Sequence, residues 1–239
     1  GDGAAKNIYN YFYEQYKFAK LPHSGRILVE HYKGEKNYVI FHSLYGRRVN
    51  DALSRALGLL MGHKVGRDIE IGINDNGFYF AGENLPIEEA LNLLSVDNLQ
   101  EALEEAISKT EVLKRRFRHC AARSLMILRN YKGRKKSVGK QQMNSFFLLS
   151  AINKISRDFP ILKEARREVL EDLMDIDNAK MVLGWIKDGK VKLDKIHTNK
   201  IIFGSINFDI IFNNAVKFQG HTFYFLGFNV STIDILCFL

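Results

Sequence analysis

Between Glu111 and Asp158 the chain has no Asp or Glu, and the 46 residues in between carry thirteen cations, at 114, 115, 116, 118, 123, 129, 132, 134, 135, 136, 140, 154 and 157. The remaining 193 residues hold 22 basic and 27 acidic side chains, a net of −5, so the overall charge of +8 belongs to this one segment. Like charges crowded together oppose folding. A polyanion laid along them relieves that repulsion and releases its own condensed counterions. Because ordinary surfaces mix their signs, the segregation points to nucleic acid rather than to a solvated helix face. The centre of the segment runs from Tyr131 to Gln142 (YKGRKKSVGKQQ) and reads as a basic turn between two helices. Gly133 and Gly139 permit close backbone approach, exposed N–H groups and the start of the next helix attract anions, and the long cationic chains supply reach.

Other chemistries find little support. Gly133 to Lys140 reads GRKKSVGK, but five residues separate its glycines and Gln141 follows the Lys. A phosphate-binding loop needs four, then a Ser or Thr to hold magnesium. No dinucleotide-binding, zinc-protease or hydrolase motif occurs. Cys120 and Cys237 stand far apart with no C-x-x-C, so neither a disulfide framework nor a thiolate zinc site is encoded, and a reducing cytoplasm is the expected setting. The seven histidines show no pair at ligand spacing; His42 and His119 draw notice because each neighbours a basic motif. A metal-dependent nuclease is disfavoured by the lack of acids in the basic segment.

The elements that must position these cations follow from periodicity. A helix is expected over 6–19 from Ile8, Tyr11, Phe12, Tyr16 and Ala19, and strands over 25–32 and 36–42 form a hairpin. A second helix runs from Val49 to Met61 and ends near Gly62. Strands over 67–73 and 77–81 meet at Asn74-Asp75-Asn76-Gly77, residues that tolerate a tight turn. From Pro86 the pattern is helical for about a hundred residues. One long helix is expected over 98–129, opened by Asp97 and Gln100 as a capping box and carrying an apolar seam from Leu99 to Leu128. Leu125, Met126, Ile127 and Leu128 read as core, as does Trp185. Further helices are expected over 141–156, 160–175 and 178–187, the last stopped by Gly189, and strands over 191–197, 201–206, 208–212 and 222–230.

With 239 residues, 46% hydrophobic and 26% charged, the composition is that of a globular protein able to bury a core, and no apolar stretch is long enough to span a bilayer. The fold class expected is α+β, with antiparallel sheets and a central multi-helix region. Its parts are an α+β stretch over 1–96, a helical region with the basic loop over 97–188, and a carboxyl-terminal β part over 189–239, together one compact domain. The chain opens on Gly1 with no initiator Met, as an excised piece of a longer polypeptide would, or an expression remnant at Gly1 to Gly3.

Two stretches together resemble a known family. Arg116 to Arg123 (RFRHCAAR) running on through Leu128 to Gln142 (LRNYKGRKKSVGKQQ), with His42-Ser43 and Gly46-Arg47-Arg48-Val49-Asn50, is similar to the DEAD/H-associated domain of archaeal Lhr-type (large helicase-related) helicases. The similarity spans 25 to about 200; where that family tends to have Ser-Pro-Phe, this chain has Ser205-Ile206-Asn207-Phe208. The resemblance implies an accessory domain, after two RecA-like lobes and a winged helix, that grips nucleic acid for a 3′-to-5′ translocase. It implies no catalysis and no cofactor in this chain, with ATP and magnesium on other domains. The implied partners are single-stranded or forked DNA, or RNA, and the RecA-like and winged-helix domains, with no membrane. Phosphate contacts are then expected from Arg115, Arg118, Arg123, Arg129, Lys132, Arg134, Lys135, Lys136 and Lys140, with Arg47 and Arg48 as a second patch and Gln141 and Gln142 bonding sugar or base. Some arginines between 116 and 123 have an alternative role, pairing with acids such as Glu104 or Asp172. The rival reading is a protein-docking module that binds the helicase lobes or an acidic partner.

Overall fold

The computed structural model describes residues 2–18, 20–33, 36–156, 158–198, 224–225 and 228–229. The chain makes two compact units interleaved in sequence, 1–50 with 69–85 and 185–239, and 51–68 with 86–184. Divisions at 96 and at 188 thus fall inside units rather than between them.

The first unit holds helix α1 (Asp2–Phe18) and a mixed five-stranded sheet. Strands β1 (Arg26–Lys33) and β2 (Asn37–His42) form the expected hairpin, and β3 (Glu70–Asn74) and β4 (Gly77–Ala81) form a second. The order is β3-β4-β2-β1-β7, where β7 (Lys192–Thr198) lies parallel to β1 with Arg26 opposite Lys192 and Tyr32 opposite Thr198. Parallel neighbours need a long crossover, and here the chain between the two strands includes the whole of the second unit. The strands are more thoroughly buried than a half-exposed alternation predicts. Tyr38 to His42 and Gly77 to Ala81 are buried throughout, with Tyr38, Ile40, Tyr79 and Ala81 clustering together and the Phe41 and Phe78 rings stacked at 4.7 Å. Both faces being covered favours such apolar runs. Gly72 is required by its partner across the ladder, because a Cβ there would meet the Tyr79 ring at 2.0 Å.

In the second unit the helix read as ending near Gly62 continues. Helix α2 (Arg47–Val65) stops only at Gly66, which adopts the left-handed φ of +68° while its N–H donates to the Gly62 carbonyl. Helix α3 (Ile87–Leu93) follows Pro86. The single helix expected over 98–129 is two, α4 (Leu99–Ile107) and α5 (Glu111–Arg123), because Thr110 turns extended and its Oγ1 accepts from the Leu113 N–H to start a new helix. The Asp97 and Gln100 box does not form; Ser95 and Asn98 instead bond each other's backbone N–H groups at 2.8 and 3.2 Å. Beyond α5 a two-stranded hairpin, β5 (Asn130–Tyr131) and β6 (Arg134–Lys135), interrupts the helical region. Helix α6 (Val138–Ile155) comes next, then α7 (Pro160–Arg167), which passes into a π-helical turn over Glu168–Leu173, and α8 (Ile176–Lys187), stopped before Gly189 at φ +72°. Tyr224–Phe225 (β8) pairs with Phe228–Asn229 (β9), while the strands expected over 201–206 and 208–212 lie outside the described residues. No helix among the described residues is long and apolar enough to cross a membrane.

Candidate nucleic-acid interface

Helix α5 sorts its residues by face. Leu113, Phe117, Cys120 and Ala121 are buried at helical spacing and fix the helix in the second unit. The arginines between them leave in two directions. Arg116 and Arg123, seven residues apart, reach the buried carboxylate of Glu168, Arg123 by a direct hydrogen bond and Arg116 at 3.7 Å. Arg115 and Arg118 line a groove of about 630 Å³ with Lys114 and, from α6, Gln142, Met143 and Phe146. Among the described residues neither Arg115 nor Arg118 forms an ion pair; Lys114 bonds Glu111 at 2.6 Å. Three of the residues expected to contact nucleic acid, Arg115, Arg118 and Gln142, are thus brought to one surface, whereas Arg123 is committed to a carboxylate. That carboxylate is neither Glu104 nor Asp172; Glu104 pairs with Arg166 instead.

Glu168 starts the π-helical turn, where one extra residue per turn redirects a side chain. Burial, and then the Glu168 carboxylate, push the Cys120 thiol above its usual range, so it stays protonated at neutral pH. Substituting Glu168→Gln keeps the shape but leaves two guanidiniums without their anion. We expect a stability loss of about 1–3 kcal/mol in urea titrations, the range for breaking a charged hydrogen bond, together with a salt dependence of oligonucleotide binding at least as steep as wild type.

The turn Tyr131 to Gln142 is organised rather than loose. Lys132 and Gly133 both adopt positive φ, 48° and 72°, the signature of the tight hairpin turn whose twist matches its strands. The Lys136 N–H donates to the Arg129 carbonyl at 2.9 Å and closes the hairpin base. Tyr131 is exposed with two ammonium groups near its ring, Lys132 Nζ 5.6 Å and Lys136 Nζ 5.8 Å from the ring centroid. Arg134 and Lys135 are exposed on β6, and Arg129 just before β5 and Lys132 in the turn are exposed as well. Ser137 caps α6 by accepting from the Lys140 N–H, so the exposed Lys140 sits in the first turn. Gln141 is turned inward, its Nε2 donating to the Lys136 carbonyl at 2.9 Å, and it braces the hairpin rather than presenting its amide.

Just before the hairpin, the expectation of core fails for three residues of four. Leu125 takes a left-handed φ of 61° at the end of α5, a position glycine usually fills, and the chain swings outward; Leu125, Met126 and Leu128 are exposed and only Ile127 turns back into the core. Trp185 is half-buried with its ring tilted against Tyr45 at 6.4 Å. In the first unit Arg47 and Arg48 are exposed on the first turn of α2. The neighbouring motif residues serve the fold. His42 Nε2 lies 3.0 Å from Glu30 in the interior, and Asn50 Nδ2 donates to the carbonyls of Ser43, Asn74 and Asp75.

His119 reports the field that these cations make. Partial desolvation of its ring, and then Arg118, Arg129, Arg116 and Arg115, hold its pKa below the ordinary histidine value. A depressed pKa means the unfolded chain binds the proton more readily, so this residue removes stability as pH falls below the usual histidine range and contributes nothing above it. A polyanion over the same arginines offsets their effect and raises the pKa. Proton-detected titration of His119 should give a midpoint below an unstructured histidine, moving upward when oligonucleotide is added.

The family described as DEAD/H associated matches residues 21–201. The ATP-dependent helicase Lhr-Core of Methanothermobacter thermautotrophicus is 49% identical over 82% of this chain, and that of Saccharolobus solfataricus 41% identical over 92%. The matched parts are 23% and 25% of those relatives, so the chain spans about a quarter of their length. Among solved structures, the Mycobacterium smegmatis helicase Lhr bound to ssDNA and AMP-PNP is similar with a TM-score of 0.71 and 25% identity, over 81% of this chain and 25% of that one.

Proposed function

Since this chain belongs to the DEAD/H-associated family, we propose that it grips a nucleic-acid strand by its phosphates for an Lhr-type helicase and does no catalysis of its own. ATP and magnesium are then held by other parts of the parent protein, and the RecA-like and winged-helix domains are its neighbours. The observation that carries this reading is a set of cations with no ion-pair partner among the described residues on one short stretch of a single unit: the exposed Arg115 and half-buried Arg118 in the groove, the exposed Arg129, Lys132, Arg134 and Lys135 in and beside the hairpin, and the exposed Lys140 at the start of α6. That a related Lhr helicase was solved with ssDNA makes single-stranded DNA the first ligand to test.

Counterion release sets the expected result. If about six phosphates of a single strand are neutralised, log K should fall against log salt with a slope near −4. Fluorescence anisotropy with single-stranded and forked DNA and RNA over a salt series measures it. A slope near zero would overturn the reading in favour of protein docking, in which charge reversal at Lys135 and Lys136 disturbs assembly and leaves oligonucleotide affinity untouched.

A further inference from the structure

The α5–α6 groove has an apolar wall that phosphate binding does not use. On α6, Met143, Phe146 and Phe147 are 60%, 59% and 62% exposed, although aromatic rings normally gain most by burial. Phe146 lines the groove beside Met143, and the Phe147 ring stands edge-on to it at 5.8 Å. Across from them are Arg115 and Arg118, with Gln142 on the same wall as the rings; Glu111 and Lys114, bonded to each other, complete the charged lining.

We infer that this groove is a stacking site for unpaired nucleobases, with Phe146 as the platform, Phe147 and Met143 as its apolar flank, and Arg115 and Arg118 holding the adjacent phosphates. The inference deepens the proposed grip and rests on it. Two features favour a strand over a protein. A volume of about 630 Å³ suits a nucleotide or two, the scale of small-ligand clefts, better than a second domain. Aromatic faces beside a cationic track are also how proteins hold single strands without reading sequence, since every base has a π-face. Gln142 supplies a donor and an acceptor at the edge of the same groove.

The test uses the full chain and two ligands of equal length and charge, oligothymidylate and an abasic deoxyribose-phosphate oligomer. Phe146→Ala with Phe147→Ala should weaken oligothymidylate binding at least about tenfold, leave the abasic oligomer unaffected and preserve the salt slope. Phe146→Trp should restore affinity, and its fluorescence should be quenched on binding; Phe146→Leu should not restore it. Because both rings are more than half exposed, the double variant is expected to fold as wild type, which circular dichroism checks. Unchanged oligothymidylate affinity in the double variant overturns the stacking site, while a slope near −4 leaves the phosphate grip standing. Equal losses on both ligands overturn stacking as well. A near-zero slope in the wild type overturns both readings. A change confined to self-association or to assembly with helicase lobes makes the face a protein contact and overturns the inference.

Discussion

Changing Arg134, Lys135 and Lys136 together to Ala should cost about 100-fold in affinity for single-stranded DNA at about 0.1 M salt and flatten the salt slope by about 2. Each phosphate contact on a single strand contributes about 0.7 to that slope, so three lost contacts remove about two decades at this salt concentration. The hairpin itself should survive. Arg134 and Lys135 are exposed, none of the three side chains forms an ion pair among the described residues, and the closing bond uses the Lys136 backbone N–H rather than its ammonium. Thermal denaturation should therefore be nearly unaltered while anisotropy collapses. A flattened slope without lost affinity, or lost affinity with an unaltered slope, would show that these cations act other than by neutralising phosphate.

Phe117→Ala should do the reverse. The ring is fully buried beneath the arginine helix, and emptying such a site costs about 3–5 kcal/mol through lost transfer energy and the cavity left behind. That is a large part of the 5–15 kcal/mol typical of a whole domain. Chemical denaturation should show the loss directly. Below its melting temperature the variant should keep the wild-type salt slope, because Arg115, Arg118 and the hairpin cations remain in place. The scaffold and the proposed grip are thus separable by two variants.

The residue pattern revealed the hairpins of the sheet, most helix positions and the segregation of charge, because all of these are local in sequence. It concealed what depends on distant partners. The pairing of β7 with β1 joins residues some 166 positions apart, as in Arg26 with Lys192, and no periodicity encodes it. Glu168 carries no sequence signal as the anion of Arg116 and Arg123, and the acids that proximity suggested lie elsewhere. The apolar seam steps six residues from Ile107 to Leu113, and it is in that gap that the Thr110 cap divides α4 from α5. The β5–β6 hairpin consists of two-residue strands that are wholly exposed, too short and polar for alternation to show. For the candidate site, the crowding of cations was legible, yet their sorting into paired and unpaired sets was not, and Phe146 was read only as part of a helix.

The parallel strand at the sheet's rim has a practical meaning for anyone dissecting this protein. The family match stops at residue 201, just past β7, and β1 owes its covered flank to that strand alone among the described residues. A fragment trimmed at 188 would bare the full length of Ile27 to Tyr32 as an unsatisfied ribbon of amides and carbonyls, a template for pairing with other molecules. Clumping in such a fragment would report a severed selvedge and would not bear on the proposed grip.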